Sequence, residues 1–300
     1  MGPEFICIGA QKAGTTWLYT QLQNHPEFSM LPKKELHYFD RDSKYPSAND
    51  LAVSSFNERR KNPLWIKKVD AKFAETKGSE DPGLHRWWSN YFLSDYCDAW
   101  YLSLFSDCSG IVGDITPSYS ILDSDDIGRV HQLVGNVKII LMIRNPIERA
   151  WSMLRYFNRI ESSICLEDFS AFKSEVDDPA QERRSDYINI IDAYREYFGR
   201  ESMLIGFYDA IGHDPRSLLH SIYSYLGVEN LDIGYQHRSL SINVNDDVEM
   251  PEQFRSYLVD KYLSDIEELA RRYESYARIW LQNINGQSKT NLELNPTFHP

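Results

Sequence analysis

The segment Gly9–Thr16, Gly-Ala-Gln-Lys-Ala-Gly-Thr-Thr, has the residue types of a loop that binds phosphate. Its two glycines let the backbone approach an anion closely, while Lys12, Thr15 and Thr16 add a positive charge and two hydroxyl donors. An ordinary turn between a strand and a helix would use the glycines, but it has no use for a lysine beside two threonines. We therefore predict an anion site here, with backbone N–H groups as further donors.

The position of the lysine distinguishes this loop from one that binds a nucleoside triphosphate. The glycines have the Gly-x4-Gly spacing of such a loop, but Lys12 precedes the second glycine instead of following it. In an ATP-binding loop the lysine after the glycine reaches the terminal phosphates, and an aspartate at another strand end usually helps to hold Mg²⁺. Here the apolar run Val137–Ile143 ends in Arg144, whose permanent charge predicts a second phosphate site and no metal ligand.

The segment Lys33–Asp40 could perform acid–base chemistry. It places two lysines, a glutamate and a histidine among aromatic residues, and Glu35 and His37 are the groups that could accept a proton. A carboxylate suits a general base if partial burial raises its pKa towards neutrality. The alternative is a solvated turn whose Tyr38 and Phe39 pack in the core.

Buried strands and amphipathic helices must hold these residues in place. The apolar runs predict core strands at Phe5–Ile8, Ile111–Asp114, Val137–Ile143 and Met203–Phe207. Helices are predicted at Thr15–Leu22, after Pro146, after Pro215 and over Pro251–Tyr276. This alternation predicts an α/β fold with a parallel central sheet flanked by helices, a three-layer sandwich like that of phosphate-loop proteins.

We predict a single domain over residues 1–286. Residues 40–101 are rich in charge and aromatic side chains and contain several prolines, so they are predicted to be an insertion of helices and loops. The tryptophans of this insertion are predicted to form its own core, in preference to an apolar wall for an acceptor. They are Trp65, Trp87, Trp88 and Trp100. Residues 287–300 are predicted to be a polar tail that frays.

The composition excludes several functional classes. It contains 42% hydrophobic and 25% charged residues without an apolar run of membrane-spanning length, which is typical of a globular protein. A net charge of −12 argues against nonspecific nucleic-acid binding. The four cysteines show neither disulfide nor zinc spacing. The start lacks the marks of a signal peptide, which favours a cytoplasmic location or a domain cut from a longer protein.

Two segments resemble those of sulfotransferases that use 3′-phosphoadenosine 5′-phosphosulfate (PAPS). Gln11–Trp17 is similar to the family's 5′-phosphosulfate loop, and Arg144–Ser152 is similar to its 3′-phosphate segment, in the same order and context. The resemblance extends from Phe5 to about Tyr273. It implies transfer of a sulfuryl group from PAPS to an acceptor hydroxyl. The transfer should be direct and in line, since no Cys or Ser is paired with a base as a covalent nucleophile would require.

The resemblance also implies roles for individual residues. Those that would bind the donor are Gln11, Lys12, Ala13, Gly14, Thr15, Thr16, Trp17, Arg144, Ser152, Tyr187 and Arg238. The loop would hold the 5′-phosphosulfate, with Lys12 stabilising charge on the leaving oxygen, and Arg144 and Ser152 would hold the 3′-phosphate. In similar bacterial and carbohydrate-acting members the glutamate of a Lys-Glu-x-His segment is the general base. Glu35 would therefore take the acceptor's proton, and His37 would orient it or share the task.

Several positions leave alternatives open. Trp17 would contact the adenine or pack as a helix side chain, and Tyr187 would lie near the ligands or be a core tyrosine. Carbohydrate-acting relatives often have a lysine where this chain has Ile115, which argues against a strongly anionic acceptor. The segment His237–Asp247, with Arg238 near its start, resembles a loop that closes over the donor, or it is a surface turn.

The acceptor could be a small molecule or carrier-bound, since a hydroxyl on a sugar, lipid, peptide tyrosine or polyketide-like chain would suit the predicted base. Two other functions are compatible with a phosphate loop on an α/β sheet. A small-molecule kinase would require ATP–Mg²⁺, and Asp114 is the one carboxylate that could serve it. A non-catalytic nucleotide-binding protein would leave Lys12 and Glu35 without a purpose.

Overall fold

A central sheet organises the chain, and the computed structural model describes residues 2–47, 51–161, 168–229, 248–287 and 294–300. Within these ranges the strands are β1 (Phe5–Gly9), β2 (Gly113–Ile115), β3 (Lys138–Ile143), β4 (Met203–Phe207) and β5 (Thr297–Phe298). Their order across the sheet is β2-β1-β3-β4-β5; the first four are parallel, and β5 runs antiparallel to β4. The four predicted strands and the parallel sheet are confirmed.

Helices flank this sheet and complete the predicted α/β sandwich. In the described ranges they are α1 (Thr15–Gln23), α2 (Phe56–Arg59), α3 (Pro63–Thr76), α4 (Pro82–Leu93), α5 (Asp98–Ser103), a 3₁₀ helix (Pro117–Ile121), α6 (Ser124–Val134), α7 (Pro146–Glu161), α8 (Phe169–Val176), α9 (Pro179–Arg183), α10 (Tyr187–Phe198), α11 (Asp209–His213), α12 (Pro215–Leu226), α13 (Glu252–Tyr273) and α14 (Ser275–Ile284). None of these helices combines the length and the apolar character needed to span a bilayer.

The strand order locates a binding crevice. Every residue of β1 and β4 is buried, as expected for parallel strands covered on both faces. β1 pairs with β2 on one side and with β3 on the other, so the chain changes winding direction between β1 and β3. In open α/β sheets, ligands bind outside the carboxyl ends of the strands at such a switch point. The predicted phosphate loop follows β1, and Arg144 follows β3, so both lie at this crevice.

The insertion folds around aromatic side chains. Helices α2 to α5 surround the buried rings of Trp88, Tyr91, Phe92, Tyr96 and Trp100. Many neighbouring pairs of these rings lie in contact, such as Tyr96 and Trp100 with centroids 4.5 Å apart. The prediction that the tryptophans form the insertion's core is confirmed for the two in this set, and the other two are partly buried at its edge.

The predicted frayed tail is wrong for residues 294–300. Strand β5 pairs with β4 and places Phe298 opposite Ile205, and the Phe207 N–H donates to the Pro296 carbonyl at 3.0 Å. The Phe298 ring also packs edge-on against Phe207, with centroids 5.8 Å apart. A two-residue strand carries no periodic signal, so the sequence pattern could not reveal it.

The helix predicted over Pro251–Tyr276 is two helices. Helix α13 ends at Tyr273, and α14 begins at Ser275. Between them Glu274 has a φ of 48°, in the left-handed region that a continuous helix cannot contain. The apolar spacing continues through this break, which is why periodicity alone predicted one helix.

Candidate active site

The loop between β1 and α1 is tied to both neighbouring strands. The Ala10 N–H donates to the Met142 carbonyl of β3 at 2.6 Å. The side-chain amide of Gln11 donates to the Ser118 hydroxyl, just beyond β2, at 2.7 Å. The first N–H groups of α1 have no carbonyl partner within their own helix, so they are available to an anion. Gln11 therefore positions the loop, and the N–H groups of α1 are the natural anion donors.

Gly14 is required by the backbone and by its neighbours. Its φ of 89° lies in the left-handed region, and it caps the start of α1. A Cβ atom at this position would lie 2.5 Å from Ile211 Cδ1 and 3.1 Å from a ring carbon of Tyr208. A larger residue would therefore displace α11 or the loop. Lys12, with a φ of 68°, is also left-handed, so the turn has a well-defined shape.

Positive charge is concentrated around Lys12. Its Nζ lies 4.4 Å from the centroid of the Tyr156 ring, and the Arg144 guanidinium donates to its carbonyl at 3.3 Å. Burial lowers the pKa of Lys12 to about 8, helped by the positive charges of Arg159, Arg144 and Arg155. An anion bound in the loop would offset this repulsion and favour the charged lysine.

Tyr187 supports Arg144 from within the core. Tyr187 is fully buried, and its hydroxyl donates to the Arg144 carbonyl at 3.0 Å. Burial raises the pKa of Tyr187 to about 12, so it remains a donor at neutral pH. The Arg144 guanidinium lies over the Tyr208 ring, 4.4 Å from its centroid. Of the two alternatives for Tyr187, its burial matches the core tyrosine, which reaches the site through the Arg144 backbone.

Ser152 and Trp17 lie on the two helices that border this crevice. Ser152 is partly exposed on α7, about two turns after Arg144. Trp17 is buried in α1, and its indole N–H has no hydrogen-bond partner among the described residues. An unpaired buried donor is costly unless a ligand or water uses it. Arg238 and the predicted closing segment His237–Asp247 lie outside the described residues.

These groups fit a donor that carries anions at two separated points. Two cations, Lys12 and Arg144, follow adjacent strands, and the helix N–H groups face the same crevice end of the sheet. Among the described residues, no group of three or more His, Cys, Asp or Glu side chains could hold a metal ion.

The acid–base segment is held against the end of β2. Three backbone N–H groups make the attachment: Glu35 to the Ile115 carbonyl at 3.1 Å, Leu36 to the Thr116 hydroxyl at 2.9 Å, and Tyr38 to the Tyr119 hydroxyl at 3.0 Å. The Ile115 side chain is buried, so this position presents a carbonyl to the segment and no side chain to the cleft. The segment is thus fixed through its backbone, on both sides of Glu35 and His37.

Asp114 in β2 anchors that attachment. Its buried carboxylate accepts hydrogen bonds from the hydroxyls of Thr116, Tyr119 and Tyr101 at 2.7, 2.9 and 3.1 Å. Burial raises the pKa of Asp114 to about 6, although these three donors act to lower it. Two of its partners in turn hold the backbone of the acid–base segment. Both oxygens of this buried carboxylate already accept hydrogen bonds, so Asp114 is a poor candidate for the metal ligand that the kinase hypothesis requires.

A line of charged side chains runs from the core to the cleft. His37 Nδ1 lies 2.7 Å from Asp40 Oδ2, His37 Nε2 lies 3.6 Å from Glu35 Oε2, and Lys34 pairs with the other Glu35 oxygen. The exposed side-chain fraction rises along this line, from 0% at Asp40 through 11% at His37 to 42% at Glu35. Glu35 is therefore the member that an acceptor can reach.

Contacts between neighbouring charges outweigh burial in setting the pKa values of Glu35 and His37. Burial acts to raise the pKa of Glu35, but the hydrogen bond from His37 and the charge of Lys34 outweigh it and lower the pKa to about 2. For His37 burial acts to lower the pKa, but Asp40 and Glu35 outweigh it and raise the pKa to about 9. The condition that would suit Glu35 as a base, a pKa raised towards neutrality by partial burial, is therefore not met while His37 and Lys34 hold it. At neutral pH the pair consists of a carboxylate and an imidazolium.

The backbone at both residues is unusual. Glu35 has a φ of 63° and His37 a φ of 56°, in the left-handed region that residues other than glycine rarely adopt. Such conformations persist only where the surrounding structure holds them, and they occur often at functional sites. The hydrogen bonds to the end of β2 provide that support.

Sequence reasoning missed three contributors to the site: Asp40, Arg155 and Arg159. Asp40 is three residues from His37, and this spacing could have suggested a side-chain pair. Arg155 and Arg159 follow Ser152 by three and seven residues on α7 and therefore share its helix face. That periodicity was the available signal for a cationic face near Lys12.

Cys7 lies in β1, two residues before the predicted phosphate loop Gly9–Thr16. Its thiol is buried and contacts the Gly9 carbonyl at 3.6 Å, and its own carbonyl accepts the Thr116 N–H at 3.1 Å. Burial raises the pKa of Cys7 to about 12. Cys97 and Cys108 are also free thiols, Cys97 being exposed. Cys7 is thus a structural residue whose reactivity depends on strand opening.

Residues 3–232 match a family model described as the sulfotransferase family. This match covers well over half of the chain, and it includes both cationic sites and the acid–base segment. The chain belongs to the sulfotransferase family. The family predicted from the two phosphate-binding segments is confirmed.

Two relatives of this sulfotransferase-family chain are much longer than it is. It is 28% identical over 154 residues to the membrane-associated sulfotransferase kil1 of Dictyostelium discoideum, covering 51% of this chain and 23% of kil1. It is 27% identical over 184 residues to carbohydrate sulfotransferase 15 of Homo sapiens, covering 56% of this chain and 29% of the relative. The matched parts thus span about a quarter of the length of these curated relatives.

A solved structure supports the fold. The sulfotransferase from Alicyclobacillus acidocaldarius has a TM-score of 0.59 and 20% identity, covering 96% of this chain and 98% of that one. The α/β architecture is therefore that of a known sulfotransferase structure.

Proposed function

We propose that this member of the sulfotransferase family transfers the sulfuryl group of PAPS to an acceptor hydroxyl. The observation that carries the proposal is the meeting of two cationic groups, Lys12 and Arg144, with the pair Glu35 and His37 at one end of the sheet. A kinase would instead use a carboxylate-bound Mg²⁺ ion at this crevice. A nucleotide-binding protein without catalysis would have no need for the acid–base pair.

The donor is held at its two charged ends. Lys12 and the N–H groups at the start of α1 bind the 5′-phosphosulfate, and Arg144 with Ser152 binds the 3′-phosphate. Tyr187 keeps the Arg144 backbone in place. PAPS supplies an activated sulfuryl group, so the protein has only to position it and stabilise charge.

Lys12 stabilises the charge that develops as the sulfur–oxygen bond to the phosphate breaks. The acceptor oxygen forms its bond to sulfur, and the electron pair of the broken bond stays on the phosphate oxygen beside Lys12. With a pKa of about 8, Lys12 is mostly protonated at neutral pH, and bound phosphate favours its charged form further. No covalent enzyme intermediate is needed.

Glu35 is the general base of the proposal. At neutral pH it is ionised while His37 is protonated, so Glu35 alone of the two can accept the acceptor's proton. A carboxylate with a pKa of about 2 is a weak base while Lys34 holds it. An acceptor hydroxyl that takes the place of Lys34 removes one of the contacts that lower the pKa and strengthens the base. His37, held by Asp40, orients the carboxylate.

Thermal shift measurements test the donor. We expect 3′-phosphoadenosine 5′-phosphate (PAP) to stabilise the protein, whereas ATP–Mg²⁺ should not. Stabilisation by ATP–Mg²⁺ alone would overturn the proposal in favour of the kinase. Stabilisation by PAP without transfer of labelled sulfate to any member of a broad panel of sugars, phenols and lipid alcohols would favour the non-catalytic protein.

Glu35→Gln tests the base. With any acceptor found in that panel, the substitution should lower kcat by roughly 10²- to 10⁴-fold and leave the PAP affinity unchanged. Glu58→Gln is the matched control, since Glu58 is a carboxylate that also pairs with a lysine but lies on the surface of α2. Full transfer by the Glu35→Gln variant to every acceptor would remove Glu35 from the base role.

A further inference from the structure

A tyrosine ring on α7 lies against two cations beside the donor loop. The Tyr156 centroid is 4.4 Å from Lys12 Nζ and 5.7 Å from Arg159 Cζ. Tyr156 is 36% exposed, and Arg159 is exposed as well, although large aromatic side chains are usually buried. An accessible surface of one ring and one guanidinium therefore adjoins the lysine that faces the sulfuryl group.

Arg159 is not balanced by an acid in the part of the chain that the structure describes. There, no carboxylate lies within ion-pair distance of it, whereas Arg255 pairs with Glu148 at the first turn of the same helix α7. The field of Arg159 is strong enough to be the leading charge that lowers the Lys12 pKa. A guanidinium beside other cations is a binding group for an anion.

The proposed donor contacts leave Arg159 unused. The two ends of PAPS are assigned to Lys12 and to Arg144 with Ser152. Arg159 lies two turns beyond Ser152, about 10 Å farther along the helix axis at 1.5 Å per residue. Glu35 also acts on the charge of Lys12, so the base and Arg159 both lie within electrostatic reach of the same ammonium group. Arg159 lies against the same Tyr156 ring as Lys12 and is assigned to neither end of the donor, which leaves the acceptor side of the reacting centre for it.

We propose that Arg159 and Tyr156 form an acceptor subsite for an anionic group, and this inference rests on the proposed sulfotransferase function. The guanidinium binds a carboxylate, sulfate or phosphate ester of the acceptor through paired hydrogen bonds, and the exposed part of the Tyr156 side chain contacts the ring that carries it. The buried Ile115 cannot supply the cation that carbohydrate-acting relatives often have at that position. In this chain Arg159 of α7 supplies that positive charge. The acceptor is therefore anionic, although Ile115 occupies the position where carbohydrate-acting relatives often have a lysine.

Binding to the PAP-saturated protein tests the subsite before any acceptor is identified. The probes are methyl β-D-glucuronoside and 4-hydroxyphenylacetate, each compared with its neutral methyl ester by calorimetric titration. We expect each acid to bind at least about tenfold more tightly than its ester, the size of one charge-assisted contact. Arg159→Gln should abolish this preference, and Arg159→Lys should restore part of it. Arg255→Gln removes an exposed arginine of α13 that pairs with Glu148 in the first turn of α7, and it should leave the preference unchanged.

The outcomes separate this inference from the function on which it rests. If PAP does not bind the unaltered protein, the proposed function fails and the subsite with it. If PAP binds but acid and ester bind equally, or Arg159→Gln keeps the preference, only the subsite is wrong. If Arg159→Gln weakens PAP binding itself, Arg159 belongs to the donor site and the inference is overturned. Because Arg159 is exposed, none of its substitutions should disturb folding.

Discussion

Among single residues, the Glu35–His37 pair sets the charge state of the site. Each group holds the other in its ionised form, and Asp40 behind His37 and Lys34 beside Glu35 strengthen the arrangement. In the proposed reaction, the proton released by the acceptor therefore enters a site that already contains one on the imidazole. The relative pKa values of Glu35 and His37, rather than their burial, therefore decide which of the two side chains is free to accept a proton.

Replacing His37 with Gln should reveal that charge in the pH dependence of stability. The pKa of His37 is raised from 6.5 to about 9 in the folded protein, so protonation favours the fold. The contribution is fully present below pH 6.5 and is lost as the pH rises through 9. Urea unfolding should therefore show a loss on the order of 2 kcal/mol at pH 6 that shrinks by pH 10.

His131→Gln serves as the control, because His131 lies on α6, where its Nε2 is hydrogen-bonded to Asn136 and its ring packs edge-on against Phe198. A deficit of His37→Gln that stays constant from pH 6 to pH 10 would assign the loss to packing and not to charge.

The sequence was sufficient to select Glu35 and His37, because their residue types and the Lys-Glu-x-His spacing are visible in the chain. It was not sufficient for their pKa values. Those depend on which atoms of Lys34 and Asp40 reach them, and that is decided by left-handed backbone at two residues that do not usually adopt it. The pattern contains no information about such a turn.

At the level of elements, the end of β2 supports the whole acid–base segment. Thr116 and Tyr119 each use a hydroxyl twice, donating to Asp114 and accepting a backbone N–H from the segment. A substitution at Asp114 should therefore disturb the position of Glu35, the proposed base, although the two side chains are not in contact.

Asp114→Asn should lower both stability and kcat. The amide places N–H donors against hydroxyls that already donate, so at least one buried hydrogen bond is lost, at a cost of roughly 1–3 kcal/mol. We expect a lower urea midpoint and a reduced kcat with a nearly unchanged Kd for PAP. Asp125→Asn, at an exposed position in the first turn of α6, is the matched control. If Asp114→Asn is destabilised yet keeps full kcat, the network supports the fold and not the base.

Sequence patterns predicted the elements where burial is continuous. Strand β1 is an apolar run, β3 is apolar after its first residue Lys138, and α7 and α12 begin at prolines suited to a first helical position. The break at Glu274 and the short β5 depend on contacts with distant parts of the chain, which local periodicity does not contain. The positions of Lys12 and Arg144 were predictable for the same reason, since they follow β1 and β3.

For the whole molecule, the end of the described chain closes one edge of the sheet. Strand β5 covers β4, and an Arg200 side chain contacts the carbonyl of Pro300, so the sheet depends on residues far from it in sequence. An uncovered strand edge is prone to pair with other chains.

Deleting residues 294–300 should therefore destabilise the protein by about 2 kcal/mol and promote association, because the partly buried Phe298 and the edge pairing are lost together. Thermal unfolding and light scattering measure the two effects. Phe298→Ala is the companion variant, which removes the ring and keeps the strand, so it should lose stability without associating. An unchanged unfolding midpoint in the truncated protein would show that β5 contributes nothing to the sheet.

The buried thiol of Cys7 provides a built-in chemical reporter. An alkylating reagent reaches a buried thiol only when the surrounding strand opens, so the labelling rate of Cys7 measures how often β1 separates from its neighbours. Donor binding at the loop directly after β1 should slow that rate, while the exposed Cys97 reacts at once and supplies an internal reference. Residue-resolved mass spectrometry can follow both. The labelling rate of the Cys7 thiol thus reports whether the donor site is occupied, before any acceptor has been found.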